Sequence, residues 1–205
     1  MFRKHPVLLC MVCLLVTACH SAKLETVTMS APAPVASKVS EPAHTAGPKP
    51  SEAELRQAIL RNYEKLVTID SSAPFLIGDF NGDKSEDIAI VVKPAGNKLG
   101  ELNSEYVNWI LEDPRQTGKI RPTIKRDDLL LAVIHGVDRQ GWRNETARQT
   151  YLLQNAVGNE FATQPGRELK KMLPRLQGDV IREKLDGAAG IIFWTGGRYA
   201  WHPII

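Results

Sequence analysis

Beyond residue 19 this 205-residue chain has no cysteine: its three lie at positions 10, 13 and 19. That excludes disulfides, a cysteine-ligated zinc site and thiolate catalysis from everything downstream. A membrane-spanning run is missing as well. The apolar stretch from Val7 to Ala18 has 12 residues, against the roughly 20 that a bilayer requires. Histidine is scarce, and after position 44 only His135 and His202 remain. His135 reads as a strand-end residue and His202 as structural. There is no G-x-S-x-G elbow, and Ser51, Ser71, Ser72, Ser85 and Ser104 fall in caps and loops with no nearby base. No basic run occurs either, so nucleic acid is not an expected partner.

What the chain does have begins at its first residues: Arg3 and Lys4, the short apolar run, then Val16-Thr17-Ala18-Cys19. This resembles a bacterial lipoprotein signal peptide ending in a lipobox. The resemblance implies removal of residues 1–18 and attachment of diacylglycerol, and then palmitate, to Cys19. His20 stands where the family commonly carries the aspartate that retains lipoproteins at the inner membrane. The implied location is therefore the outer membrane, periplasmic face, with the membrane contacted through the N-terminal lipid. Processing would remove two basic residues and no acidic one, leaving 24 basic against 23 acidic side chains, a formal charge of +1. The +3 of the whole chain thus says little about partners.

Residues 19–50 read as the lipidated cysteine followed by a disordered linker rich in Pro and Ala, with prolines at 32, 34, 42, 48 and 50 and no period that could hold a core. Extended at about 3.1 Å per residue, such a linker reaches up to roughly 90 Å. One globular domain is expected over residues 51–205. Ser51 and Glu54 form a capping-box pattern. Leu55, Ile59, Tyr63 and Leu66 then recur at helical spacing, predicting an amphipathic helix over about 52–67. Beyond it come short apolar runs separated by turn residues: 74–78, 87–93, 106–111, 129–135, 151–153, 180–182, 190–194 and 198–201. Gly196-Gly197 between the last two predicts a hairpin. A second helix is expected around 166–176, ended or bent by Pro174. The expected fold is α+β: an N-terminal helix packed on a mainly antiparallel β-sheet.

The most specific chemical pattern is Asp79-Phe80-Asn81-Gly82-Asp83-Lys84-Ser85-Glu86-Asp87. Oxygen side chains at relative positions 1, 3, 5 and 9, with a backbone carbonyl at Ser85, can surround a hard cation that takes six to eight oxygens. The segment resembles the calcium loop of FG-GAP (VCBS-type) repeat proteins, with Ile77-Gly78 and Ile88 to Val92 as its flanking strands. That resemblance implies Asp79, Asn81, Asp83 and Asp87 as side-chain ligands of calcium and the Ser85 carbonyl as a fifth. Lys84 occupies the position where such loops have glycine. Ile90 at position 12 rules out an EF-hand. A single copy does not imply a propeller.

The remaining charged and aromatic residues are less distinctive. Basic residues from Arg139 to Lys184 are interspersed with acids and read as a mixed solvated surface. Trp109, Trp142, Trp194 and Trp201 read as core and sheet-face packing. The functional expectation is a lipid-anchored periplasmic binding or envelope-interaction module with one calcium loop and an envelope protein or polysaccharide as partner. The alternative is a calcium-dependent hydrolase of an envelope polymer, working through carboxylates such as Asp127, Asp128 or Glu145.

Overall fold

The computed structural model describes residues 47–118 and 120–204. The signal segment, Cys19 and the linker as far as residue 46 lie outside the described residues. The first element is the helix α1 (Glu52–Tyr63), and the capping box forms: the Ser51 hydroxyl accepts from Glu54 N at 3.3 Å, and Glu54 Oε2 accepts from Ser51 N at 2.8 Å. Leu55, Ile59 and Tyr63 are buried along one stripe. The helix stops four residues before the periodicity predicts. Glu64 turns to φ 56°, and the buried Leu66 belongs to the chain's exit toward a strand.

That strand is β1 (Val67–Thr68), followed by β2 (Phe75–Gly78), β3 (Asp87–Pro94), a single helical turn α2 (Leu99–Leu102), β4 (Ile110–Glu112), β5 (Leu130–Ile134), β6 (Thr150–Leu153), β7 (Ala162–Gln164), β8 (Gln177–Leu185), β9 (Ala188–Trp194) and β10 (Tyr199–Pro203). Among the described residues these make two sheets. The first runs β1-β3-β5-β6-β4, with β2 pairing the N-terminal half of β3; the second is the meander β10-β9-β8-β7. Every pairing is antiparallel except β4 with β6. The fold is therefore mixed α and β, mostly antiparallel, with few helices.

The continuous apolar runs of β3 and β5 follow from burial on both faces. With side chains alternating, Ile88, Ile90, Val92, Leu130, Ala132 and Ile134 join one buried cluster with Leu55, Ile59 and Tyr63. Ala89, Val91, Leu131 and Val133 join another with Ile181, Ile192, Trp194 and Tyr199 of the second sheet. Each large aliphatic side chain buried there contributes about 1.5–3 kcal/mol. The Tyr63 hydroxyl reaches the carbonyls of Tyr151 (2.7 Å) and Val133 (3.0 Å). The sheets are also tied by hydrogen bonds: Asp179 N donates to Asp79 O at 2.6 Å, and the Thr163 hydroxyl to Ile77 O at 3.1 Å. At that junction Gly178 has φ +69°, and a Cβ there would lie 2.1 Å from Asp79 O, so only glycine fits.

Several expected elements shift. The strand expected from Tyr106 starts at Ile110, and Tyr106 is 96 % exposed in the preceding loop. The helix expected over 166–176 does not form: Gly166–Glu168 is a 3-10 turn, and the segment lies as turns over the outer face of the second sheet. Gly166 sits so close to β8 that a Cβ would meet Gly178 O at 1.9 Å. Leu169, Leu173 and Leu176 cover Val180, Ile191 and Phe193 from there. Strands β1 and β7 are too short to carry a pattern. The hairpin at Gly196-Gly197 forms, with Tyr199 opposite Trp194.

Candidate functional site

The acidic segment joins β2 to β3, and its oxygens organise its own backbone. Asp79 Oδ1 accepts from Gly82 N (2.8 Å) and Oδ2 from Lys84 N (3.1 Å). Asn81 Oδ1 accepts from Asp83 N (3.0 Å), and Asp83 Oδ1 from Ser85 N (2.7 Å). The Asn81 amide donates to Asp83 Oδ2 at 2.9 Å. Gly82 and Lys84 take φ of 79° and 73°, so the sharp turn expected after the third ligand is made with lysine where glycine is the unstrained choice.

Asp87, at relative position 9, is fully buried. Its Oδ2 accepts from Phe80 N (2.7 Å) and Asn81 N (3.1 Å), and its Oδ1 from Gly136 N (2.6 Å). One carboxylate thus pins both ends of the loop to the exit of β5. Burial pushes this carboxyl up to about 8; the Gly136 and Asn81 N–H groups pull it down, while the charges of Asp83 and Asp79 push it further up.

Next to Gly136, His135 follows β5 as a strand-end residue and is buried, its Nε2 2.8 Å from the Tyr199 hydroxyl. Its ring packs with Tyr151, Trp194 and Tyr199 at centroid separations of 5.0–5.9 Å. Burial brings its pKa down to about 4, against the pull of the Asp83 charge. Trp109 and Trp142 are also buried, and Trp201 partly so, in keeping with packing roles.

Beside the loop lies an open cleft of about 800 Å³, whose lining includes Lys84, Glu86, Asp138, Arg139, Gln140 and Glu145. Glu86 and Arg143 of that lining belong to an ion cluster. Arg143 donates to Glu86 Oε1 (2.7 Å), Glu54 Oε1 (3.0 Å) and Pro48 O (2.7 Å), with its guanidinium carbon 4.3 Å from the centre of the Trp142 ring. Glu86 accepts in addition from Trp142 Nε1 (3.0 Å) and Gly47 N (2.9 Å), so its charge is fully engaged.

The carboxylates considered for hydrolysis are not brought together. Glu145 lines the cleft, whereas Asp127 and Asp128 do not, and Asp128 Oδ2 is held by Lys125 N (2.8 Å) and the Gln154 amide (2.5 Å). Among the described residues no three His, Cys, Asp or Glu side chains are grouped as a metal ion would need. Asp87, expected as a fourth side-chain ligand, instead has both oxygens engaged by backbone N–H groups, which leaves the oxygen donors of Asp79, Asn81, Asp83 and the Ser85 carbonyl as the set suited to a hard cation.

Sequence reasoning missed a second and smaller chamber, of about 360 Å³, at the C-terminal end of α1. It is lined by Arg61, Asn62, Glu64, Asn108, Arg148 and Thr150. No local pattern could have revealed it, since its walls come from three separate stretches. No helix among the described residues is long and apolar enough to cross a membrane. Comparison with protein-family models, curated proteins and solved structures finds no match.

Proposed function

We propose that this protein is a lipid-anchored binding module of a bacterial envelope, held at the periplasmic face of the outer membrane through Cys19, with Asp79–Asp87 as a weak calcium loop. In this reading residues 51–205 are the single domain, α1 is seated on the larger sheet through Tyr63, and the cleft beside the loop receives an envelope protein or polysaccharide. The observation that carries the reading is the loop itself. Asp79, Asn81 and Asp83 are held in register by successive backbone N–H groups, close enough to Asp87 for two of their charges to act on its carboxyl. Calcium, when bound, would neutralise that repulsion through Asp79, Asn81, Asp83 and the Ser85 carbonyl, while Asp87 anchors the loop ends.

Two measurements test the two halves of the proposal. Calcium should raise the melting temperature by linkage of binding to folding, and Asp83→Ala should abolish the rise; an unchanged midpoint in wild type would leave a purely structural turn. Fed palmitate should label the chain, which should sediment with outer membranes, whereas Cys19→Ala should accumulate as unprocessed precursor. Normal cleavage of that variant to a soluble product would contradict the anchor.

A further inference from the structure

The fold sorts basic residues that read in the sequence as part of a mixed surface. Arg167, Lys170, Lys171 and Arg175 are exposed on the turns that cover the outer face of the second sheet. Arg182 and Lys184 are exposed on that same face. Arg182 stands opposite Ile191, a buried member of the cluster beneath the turns, and side chains two apart on a strand share a side. Acids are few there. Glu168 accepts from the Gln164 amide at 3.2 Å, and Glu160 lies 3.8 Å from Arg182. Asp179 is turned to the acidic loop, where its Oδ2 accepts from Asp79 N at 3.1 Å, and Glu183 is buried on the opposite side of β8. Among the described residues the other five cations have no carboxylate within 4.0 Å.

Residues 51–205 hold 21 basic and 21 acidic side chains. Six cations against two acids on one face therefore leave the rest of the domain with four more acids than bases, and a neutral domain acquires a cationic side. Met172 is 53 % exposed amid the basic turns. Neither the cleft nor the smaller chamber takes a residue from this face, whereas a small acidic ligand would need a concave site. What the face offers is charge spread over a surface around one exposed apolar side chain. That composition suits an anionic bilayer, whose headgroups attract Lys and Arg while its interfacial region accepts apolar groups.

We propose that the outer face of the second sheet, with Arg167, Lys170, Lys171, Arg175, Arg182 and Lys184, docks the domain on an anionic phospholipid surface. The contact is separate from the acidic loop and from the cleft, and it rests on the proposed lipid anchor only for which bilayer lies within reach.

NMR of the isotope-labelled full-length protein tests it, with bicelles of phosphatidylcholine alone or mixed with phosphatidylglycerol, each carrying a gadolinium-chelating lipid. Amides of residues 167–175 and 182–184 should broaden in the phosphatidylglycerol bicelles, far more than those of α1, and the broadening should fade at high salt. The readout reports which face meets lipid, however the N-terminus is attached, so failure of the Cys19 anchor leaves it intact. Each basic residue near an anionic surface multiplies the docked population about fivefold, so Lys170→Gln with Lys171→Gln should lower it about twentyfold. Lys93→Gln with Lys98→Gln makes the same change of charge at residues paired with Asp70 and Glu101, and should change docking less than about twofold. Equal broadening in both kinds of bicelle, broadening spread evenly over the domain, or equal losses in the two double variants would overturn the proposal. So would an unchanged spectrum in phosphatidylglycerol.

Discussion

The acidic loop and the chamber at the end of α1 are both polar, yet they treat their polar atoms in opposite ways. In the loop eight of nine consecutive residues bond one another, and Asp87 satisfies three backbone N–H groups at once. In the chamber, residues gathered from three stretches leave Arg61 Nε and Asn62 Oδ1 with nothing to bond. The loop's side chains hold the fold together; the chamber's cost it stability. A local cluster can close its own hydrogen bonds because its donors and acceptors are chained at fixed offsets. A cavity assembled from distant segments has no such constraint, and some of the polar atoms around it stay unsatisfied.

The largest effect that sharpens this contrast is expected at Asp87. Asp87→Ala leaves three N–H groups without an acceptor, two of them in buried bonds, and should cost about 3–5 kcal/mol, read by chemical denaturation. A loss under about 1 kcal/mol would mean that the loop does not depend on its anchor. Next comes pH. The His135 imidazole titrates at about 4 in the folded state against 6.5 in the unfolded one. Between those values the unfolded chain takes up a proton that the folded chain refuses, so this contribution is complete above about pH 6.5 and is lost as pH falls toward 4, by up to about 3 kcal/mol. Asp87, with its raised pKa, contributes the opposite slope, so the comparison is wild type against His135→Gln. The stability difference between them should shrink as pH falls through that window; a pH-independent difference would contradict the assignment.

Smaller effects separate the two regions further. Lys84→Gly relieves the left-handed strain at φ 73° and should stabilise by about 1 kcal/mol. Asn62→Ala gives up one bond to a helix carbonyl together with an orphaned acceptor, and should change stability by less than about 0.5 kcal/mol. If Asn62→Ala cost as much as Asp87→Ala, the contrast between the two regions would collapse.

What could be read from the sequence divides along the same line. The capping box, the strands around 75–78, 87–93, 130–134 and 190–194 and the positive φ at Lys84 all follow from patterns within a few residues. The strand β8 was only partly legible because Arg182, Glu183 and Lys184 interrupt its apolar pattern, although Glu183 is fully buried. That masked the hairpin at Asp186-Gly187, whose φ values of 49° and 85° suit the tight turn such a pair favours. The leucines at 169, 173 and 176 do share one face, as a helical reading requires; they cover a sheet from a series of turns pinned at Gly166 and interrupted at Pro174. Arg61, Asn62, Asn108, Arg148 and Thr150 carry no joint signal in the chain. Only the folded chain brings them together around one cavity.

The central proposal, that the loop holds calcium, is tested most directly by titration calorimetry of calcium into the chelator-treated protein, wild type beside Lys84→Gly. Saturable heat with a Kd on the order of 0.1–1 mM, and tighter binding once the strained lysine and its charge are gone, is the predicted result. No heat from either protein would contradict the account.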